Sequence, residues 1–420
     1  MTTPHPALLL SDRIAELLTD PEAVPSSWSS RPQWRQSLAH GAPGIALLHI
    51  ERAATGRGPW EPVRAWLSVA ARTPVTSGAD SYLYYGAPAL AHALACAAQA
   101  RVGSYRQALA HLDRTVAADA VRRCDDALAR IDRGDLPMLA EFDAIRGLTG
   151  IGVVLLRRDP GGEAIHRVLR CLARLADDVE HNGEALPGWW TPTGPSGKPD
   201  ADRFPSGHAN TGLAHGIAGP LALLALALRR GVEVDGQHEA IRTILAWLER
   251  WRDGHAWPYW ITRAHLTDPD RRPLAPQRPS WCYGTAGLAR AQQLAALAIG
   301  DPRLRHNAEH ALAAALVDPK ALAATTDLSA CHGYAGLAHI AHRTAADALP
   351  SSAALLRPAT ALLLDTVHPP HTDPDEQAHR LLATTGPALL EGAAGTALTL
   401  LAPATGSTPA TRWDACLLTA

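Results

Sequence analysis

Trp281-Cys282-Tyr283-Gly284-Thr285-Ala286-Gly287 and Cys331-His332-Gly333-Tyr334-Ala335-Gly336 are two versions of one short signature. Each sets a cysteine two residues ahead of a glycine and follows it with small residues. The same shape, without the cysteine, recurs along the chain. It is found at His40-Gly41-Ala42-Pro43-Gly44, Tyr85-Gly86-Ala87-Pro88-Ala89, Arg146-Gly147-Leu148-Thr149-Gly150, His215-Gly216-Ile217-Ala218-Gly219 and Glu391-Gly392-Ala393-Ala394-Gly395. Each unit runs into an apolar stretch. The first glycines fall at 41, 86, 147, 216, 284, 333 and 392, at intervals of 45 to 69 residues. A fixed local signature at such spacing is an internal repeat with loop insertions. Only the second unit lacks the later glycine, having Ala89 instead.

Between the units lie stretches with apolar residues at helical spacing, at 106–116, 241–251 and 303–317. Residues 11–20 read as a short helix and 21–32 as a loop. Asp301-Pro302 reads as an N-cap with proline in the first turn, and Asp373-Pro374-Asp375-Glu376 as a capping box. Each repeat is therefore expected to pair a polar-faced outer helix with a small-residue inner helix. Seven pairs predict an all-α fold, an α/α toroid of about fourteen helices in two layers, forming one domain over residues 1–420. An open solenoid of the same pairs is the alternative. Two Gly-, Pro- and Trp-rich insertions, near 187–210 and 254–279, are expected to wrap one end of the ring.

Composition agrees. Of 420 residues, 47% are hydrophobic, with only two Phe and two Met. Ala and Leu dominate, which favours helix over a β-sandwich. The net charge of -2 and the absence of a basic block argue against nucleic acid or an anionic membrane surface. Six cysteines without a CxxC pair do not suggest a disulfide scaffold. No signal peptide or transmembrane run is visible, so a cytoplasmic protein is expected.

Aligned on the first glycine, the preceding residues are His40, Tyr85, Arg146, His215, Tyr283, His332 and Glu391. All are polar or ionisable although apolar helices flank them. In a ring they would form a polar collar. One position earlier, Cys282 and Cys331 share a register in neighbouring repeats, and His332 adjoins Cys331. Buried thiols are the plain reading of either cysteine alone. The shared register favours a site of two Cys and one His, the set with which zinc keeps an open fourth position. His215 occupies the equivalent position one repeat before Cys282 and reads as a proton-transfer residue rather than a ligand. Asp143 and Arg278 alone would pass as ordinary helix-end or loop charges. Cys96, Cys124, Cys171 and Cys416 have no ligand-like register and read as structural.

Gly212-Leu213-Ala214-His215-Gly216-Ile217-Ala218-Gly219, Trp281-Cys282-Tyr283-Gly284 and Cys331-His332-Gly333 resemble the three signature motifs of lanthionine synthetase C-like proteins, the lanthipeptide cyclases. The resemblance covers nearly the whole chain and is strongest over 208–339. It implies a seven-fold α/α barrel, Cys282, Cys331 and His332 as Zn2+ ligands, and His215 as catalytic acid/base. The stretch Phe142-Asp143-Ala144-Ile145-Arg146-Gly147 is similar to the family's aspartate segment, which implies a catalytic-site role for Asp143. Arg278, Trp281 and Tyr283 match positions lining the site.

The activity so implied is addition of a cysteine thiol of a dehydrated precursor peptide to dehydroalanine or dehydrobutyrine. The expected partners are that precursor, a separate dehydratase and an exporter. Relatives of this fold that add glutathione, and a non-catalytic zinc protein binding a peptide, are the competing readings. A metal-free toroid such as a glycosidase would need paired carboxylates at the collar, and none is seen.

Overall fold

Each of the seven glycine units opens an inner helix. These helices span Ala42–Ala54, Ala87–Ala100, Leu148–Arg158, Ala218–Arg229, Thr285–Ile299, Tyr334–Ala346 and Ala393–Thr405. In six of them the first glycine is the N-cap residue, and in the fourth the cap is Ile217. The computed structural model describes residues 5–31, 33–268 and 278–420. Part of the second insertion and Pro32 therefore lie outside the described residues.

Inner helices are buried almost all round. In Thr285–Ile299, every residue from Thr285 to Ala296 is buried, including Arg290, Gln292 and Gln293. A helix apolar on every face belongs inside a core, and alanine and glycine let such helices approach closely. Outer helices follow at Glu61–Ala70, Arg106–Asp132, Glu163–Arg174, Gln237–Arg250, Pro302–Ala315 and Pro350–Val367. The seventh inner helix is packed by the N-terminal helix Ala7–Leu17. Asp301 caps its helix by accepting from the N–H groups of Arg303 and Leu304. Asp373 caps the helix Pro374–Thr385 through the N–H of Asp375.

The chain divides into two compact units. One comprises residues 1–115, 325–418 and 420, and holds the inner helices of repeats six, seven, one and two. The other comprises 116–324 and 419, and holds those of repeats three, four and five. Within each unit, backbone bonds join the turns of successive repeats two or three residues before their glycines. In the first, the N–H of Cys331 donates to Leu390 C=O, that of Leu390 to Ala39 C=O, and that of Leu38 to Tyr84 C=O. In the second, the N–H of Ala144 donates to Ala214 C=O and that of Ala214 to Cys282 C=O. The repeat register is thus written into the main chain.

Three expectations need correction. The first helix begins at Ala7, not Ser11, and 21–32 holds a 3-10 turn and a short helix, Ser26–Ser29. The helix expected over 106–116 continues to Asp132, because nothing before Gly134 breaks it. The insertions also carry strands. Val179–His181 pairs with Glu184–Leu186 around Asn182-Gly183, both at positive φ, the pairing that a tight hairpin demands. Trp190–Thr191, His208–Asn210 and Trp260–Thr262 form an antiparallel three-stranded sheet. Among the described residues no helix is long and apolar enough to cross a membrane.

Candidate active site

The collar side chains are set by a cap that recurs in four repeats. The residue four before the first glycine offers a side-chain oxygen to the backbone N–H of the collar residue. Ser37 does this for His40 at 3.0 Å, Asp143 for Arg146 at 2.6 Å, Ser280 for Tyr283 at 3.3 Å and Ser329 for His332 at 3.2 Å. Short polar side chains close such local turns readily. The chain is thereby pinned just where it turns into the inner helix.

Asp143 adds a second duty. Its Oδ1 also accepts from Gly147 N–H at 2.9 Å, while Oδ2 accepts from Nδ1 of His215 at 2.7 Å. Asp143 is buried, and His215 keeps about a third of its side chain exposed. A carboxylate on Nδ1 fixes the tautomer and ring plane, and leaves Nε2 as the nitrogen able to exchange a proton.

Around them stands an aromatic wall. The Tyr283 ring lies 6.3 Å from His215, 5.3 Å from Tyr259 and 6.2 Å from Trp260. Tyr283 Oη accepts from Asn210 Nδ2 at 3.1 Å. Asn210 and Trp260 face each other across the small sheet, so the insertions do furnish the wall. His208, on the same strand, is fully buried against Thr193 C=O at 2.8 Å, and burial pushes its pKa down to about 4. Burial likewise raises Tyr259, to about 12. Tyr259 donates its hydroxyl to Arg278 C=O at 3.0 Å. Arg278 thus contributes its backbone here. Gly284 sits at φ +93°, and a Cβ there would come within 2.2 Å of the same carbonyl.

Cys282 belongs to this unit, with Asp143, His215, Arg278 and Tyr283. Cys331 and His332 belong to the other. Neither cysteine is in a disulfide, and the two are 8% and 9% exposed. Cys282 Sγ lies 3.6 Å from Ser280 Oγ. His332 has a carboxylate of its own, since its Nδ1 donates to Asp327 Oδ2 at 2.6 Å, and Nε2 lies 3.5 Å from Glu391 Oε1. Asp327 is lifted by burial, but hydrogen bonds from His332 and Ser329 outweigh that and hold it below the usual carboxylate range. His332 likewise holds Glu391 below its usual range.

Two thiols and an imidazole are donor types that suit zinc, and with Nδ1 of His332 engaged, Nε2 is the nitrogen that could bind a metal. Among the described residues no group of three His, Cys, Asp or Glu side chains is gathered at metal-binding range. Asp327, Asn210, Ser280 and Ser329 escaped the sequence reading. The two serines were legible as Ser-x-Cys-x-Gly in both cysteine units.

The comparisons with known proteins bear on the same stretches. A family model described as lanthionine synthetase C-like protein matches residues 32–418. Nisin biosynthesis protein NisC of Lactococcus lactis subsp. lactis is 24% identical over 211 residues. That alignment covers 48% of this chain and 48% of the relative, about half the length of each. The solved structure of a nisin cyclase matches with a TM-score of 0.74 at 20% identity, covering 97% of this chain and 96% of that one. That likeness shows the fold class, an α/α toroid.

Proposed function

The chain belongs to the lanthionine synthetase C-like family, and from that premise we propose that it is a lanthipeptide cyclase. Its substrate is a precursor peptide already bearing dehydroalanine or dehydrobutyrine, made by a separate dehydratase, and its place of action is the cytoplasm. The net reaction adds a cysteine S–H across the Cα=Cβ bond. Sulfur bonds to Cβ, a proton reaches Cα, and a lanthionine or methyllanthionine thioether closes the ring.

Cys282, Cys331 and His332 are the residues that would hold zinc. A zinc ion bound there supplies the Lewis acidity that favours the thiolate form of a substrate cysteine. Asp327 keeps His332 in the tautomer that presents Nε2. Attack at Cβ leaves an enolate that needs a proton at Cα. His215 delivers it from Nε2, while Asp143 holds Nδ1 and steadies the imidazolium. Tyr283, held by Asn210, and Arg278, through the turn that carries Cys282, shape the peptide side of the site.

The observation that carries this reading is the Asp143–His215 bond, made between two residues that the family motifs single out. It is tested by incubating a dehydrated Cys-containing peptide with the purified protein, with and without glutathione, and following free thiol and peptide mass. Loss of free thiol at constant peptide mass, without glutathione, is the expected result. A glutathione adduct instead of a ring would reassign the nucleophile, and no reaction would reject the activity.

A further inference from the structure

The unit that carries Cys331 and His332 contains a cavity of about 500 Å³ that the proposed chemistry does not use. It is lined by the indoles of Trp28 and Trp34, by Thr385 and Ala388, and by the polar side chains of Arg31, Gln33, His40 and Glu391. His40 and Glu391 are collar residues of repeats one and seven. Glu391 Oε1 lies 3.5 Å from His332 Nε2, so one lining residue of the cavity also touches that histidine.

The wall is built, not incidental. Trp28 lies half-buried on the short helix Ser26–Ser29. The Arg31 guanidinium stacks over its indole at 4.0 Å. Beneath it is Gly386, at φ +73°, where a Cβ would come within 2.4 Å of the indole ring. Glycine is thus required both by the backbone and by the ring it seats. Trp34 is buried and braced edge-on by Trp66 at 6.1 Å. Two fixed indoles give a large apolar surface at little entropic cost, a feature of binding sites that anchor a side chain. The volume lies within the range of small-ligand pockets.

We propose that this cavity is a specificity subsite that receives an apolar side chain of the precursor peptide close in sequence to the reacting cysteine. The proposal rests on the cyclase reading for the identity of its occupant. The occupant is a peptide segment because one lining residue, Glu391, reaches His332, while two indoles offer an apolar surface beside polar groups that suit a peptide backbone. A bound peptide there sets its side chain against the indoles of Trp28 and Trp34.

The test uses the full chain and a binding probe that cannot react. Two fluorescein-labelled peptides of about ten residues carry serine in place of the reacting cysteine. One has leucine beside that serine, the other glycine. Fluorescence anisotropy should show the leucine peptide bound about tenfold tighter by wild type, the scale expected for filling an apolar pocket. Trp28→Ala should erase the preference and Trp28→Phe should restore most of it, with circular dichroism reporting that each variant is folded. Equal affinity for both peptides, binding of neither, or a preference that survives Trp28→Ala would overturn the subsite. Turnover is measured separately on the matching dehydrated, cysteine-containing peptides. If the leucine preference is present and no peptide cyclises, the subsite stands and the cyclase reading falls. If both peptides cyclise with equal kcat/KM, the subsite falls and the cyclase reading stands.

Discussion

His215 Nδ1 and Asp143 Oδ2 meet at 2.7 Å although 72 residues separate them in sequence. The aspartate is supplied by the third repeat and the histidine by the fourth. Asp143 cannot drift, because its other oxygen is spent on the N–H groups of Arg146 and Gly147 at an inner-helix entrance.

Asp143→Asn separates these roles. The amide oxygen can still cap Arg146 and Gly147, so the fold should hold. The amide NH2 then faces Nδ1 and selects the wrong tautomer. Cyclisation should fall at least ~10²-fold, with peptide affinity changed only a few-fold. Single-turnover kinetics beside a binding titration checks this. A variant at wild-type rate would remove Asp143 from the mechanism.

His215→Ala should retain zinc and peptide binding yet lose controlled proton delivery, worth ~10²–10⁴-fold in rate. Residual rings should form with mixed configuration at Cα. Chiral analysis of the hydrolysed thioethers reads this directly. Wild-type rate and stereochemistry would make His215 a packing residue.

Zinc should be near-stoichiometric in the purified protein and lost in Cys282→Ala and in Cys331→Ala. Asp327→Asn should keep zinc but bind it ~10–100-fold more weakly, the usual effect of removing a ligand's hydrogen-bond partner. Elemental analysis and competition with a chromogenic chelator measure the two effects. Full retention in both cysteine variants would refute the ligand set.

Much of this was legible because the repeat carries its own ruler. The glycines fixed the inner helices, and counting back from them exposed Cys282, Cys331, His215 and the collar. Asp143 stood out only through the family motif, since one carboxylate before a helix looks like a cap, which it also is. Asp327 gave no signal. It lies in a loop outside the repeated register and acts through a tertiary contact with His332. The small sheet was hidden for a related reason. Strands of two or three residues show no alternation, and their pairing joins residues as distant as Trp190 and Ala209.

Gly284→Ala should be poorly tolerated. A φ of +93° and a Cβ 2.2 Å from Arg278 C=O act together. The loss should exceed ~1–2 kcal/mol, the cost of left-handed backbone alone for an L-residue. Urea unfolding of the variant measures it, and an unchanged midpoint would contradict the geometry.

Acid should weaken the fold through two buried histidines. Burial lowers both His49 and His208 to about 4, from the usual 6.5 of a histidine. They stay neutral in the folded chain while the unfolded chain takes up protons. Stability is therefore full above about pH 6.5 and declines as pH falls towards about 4. Between pH 7 and 5 each should cost on the order of 2 kcal/mol. His49→Gln should flatten part of that slope in urea titrations at the two pH values; an unchanged slope would show that His49 does not contribute.

The main-chain ladder from Cys331 to Leu390 to Ala39 has an implication for redesign. None of its bonds uses a side chain, so a substitution at a rung leaves the bonds themselves in place. Leu390 is an occupied but chemically idle rung beside Cys331. Installing cysteine or histidine there offers a way to give one scaffold a different ligand set, with the backbone already in register.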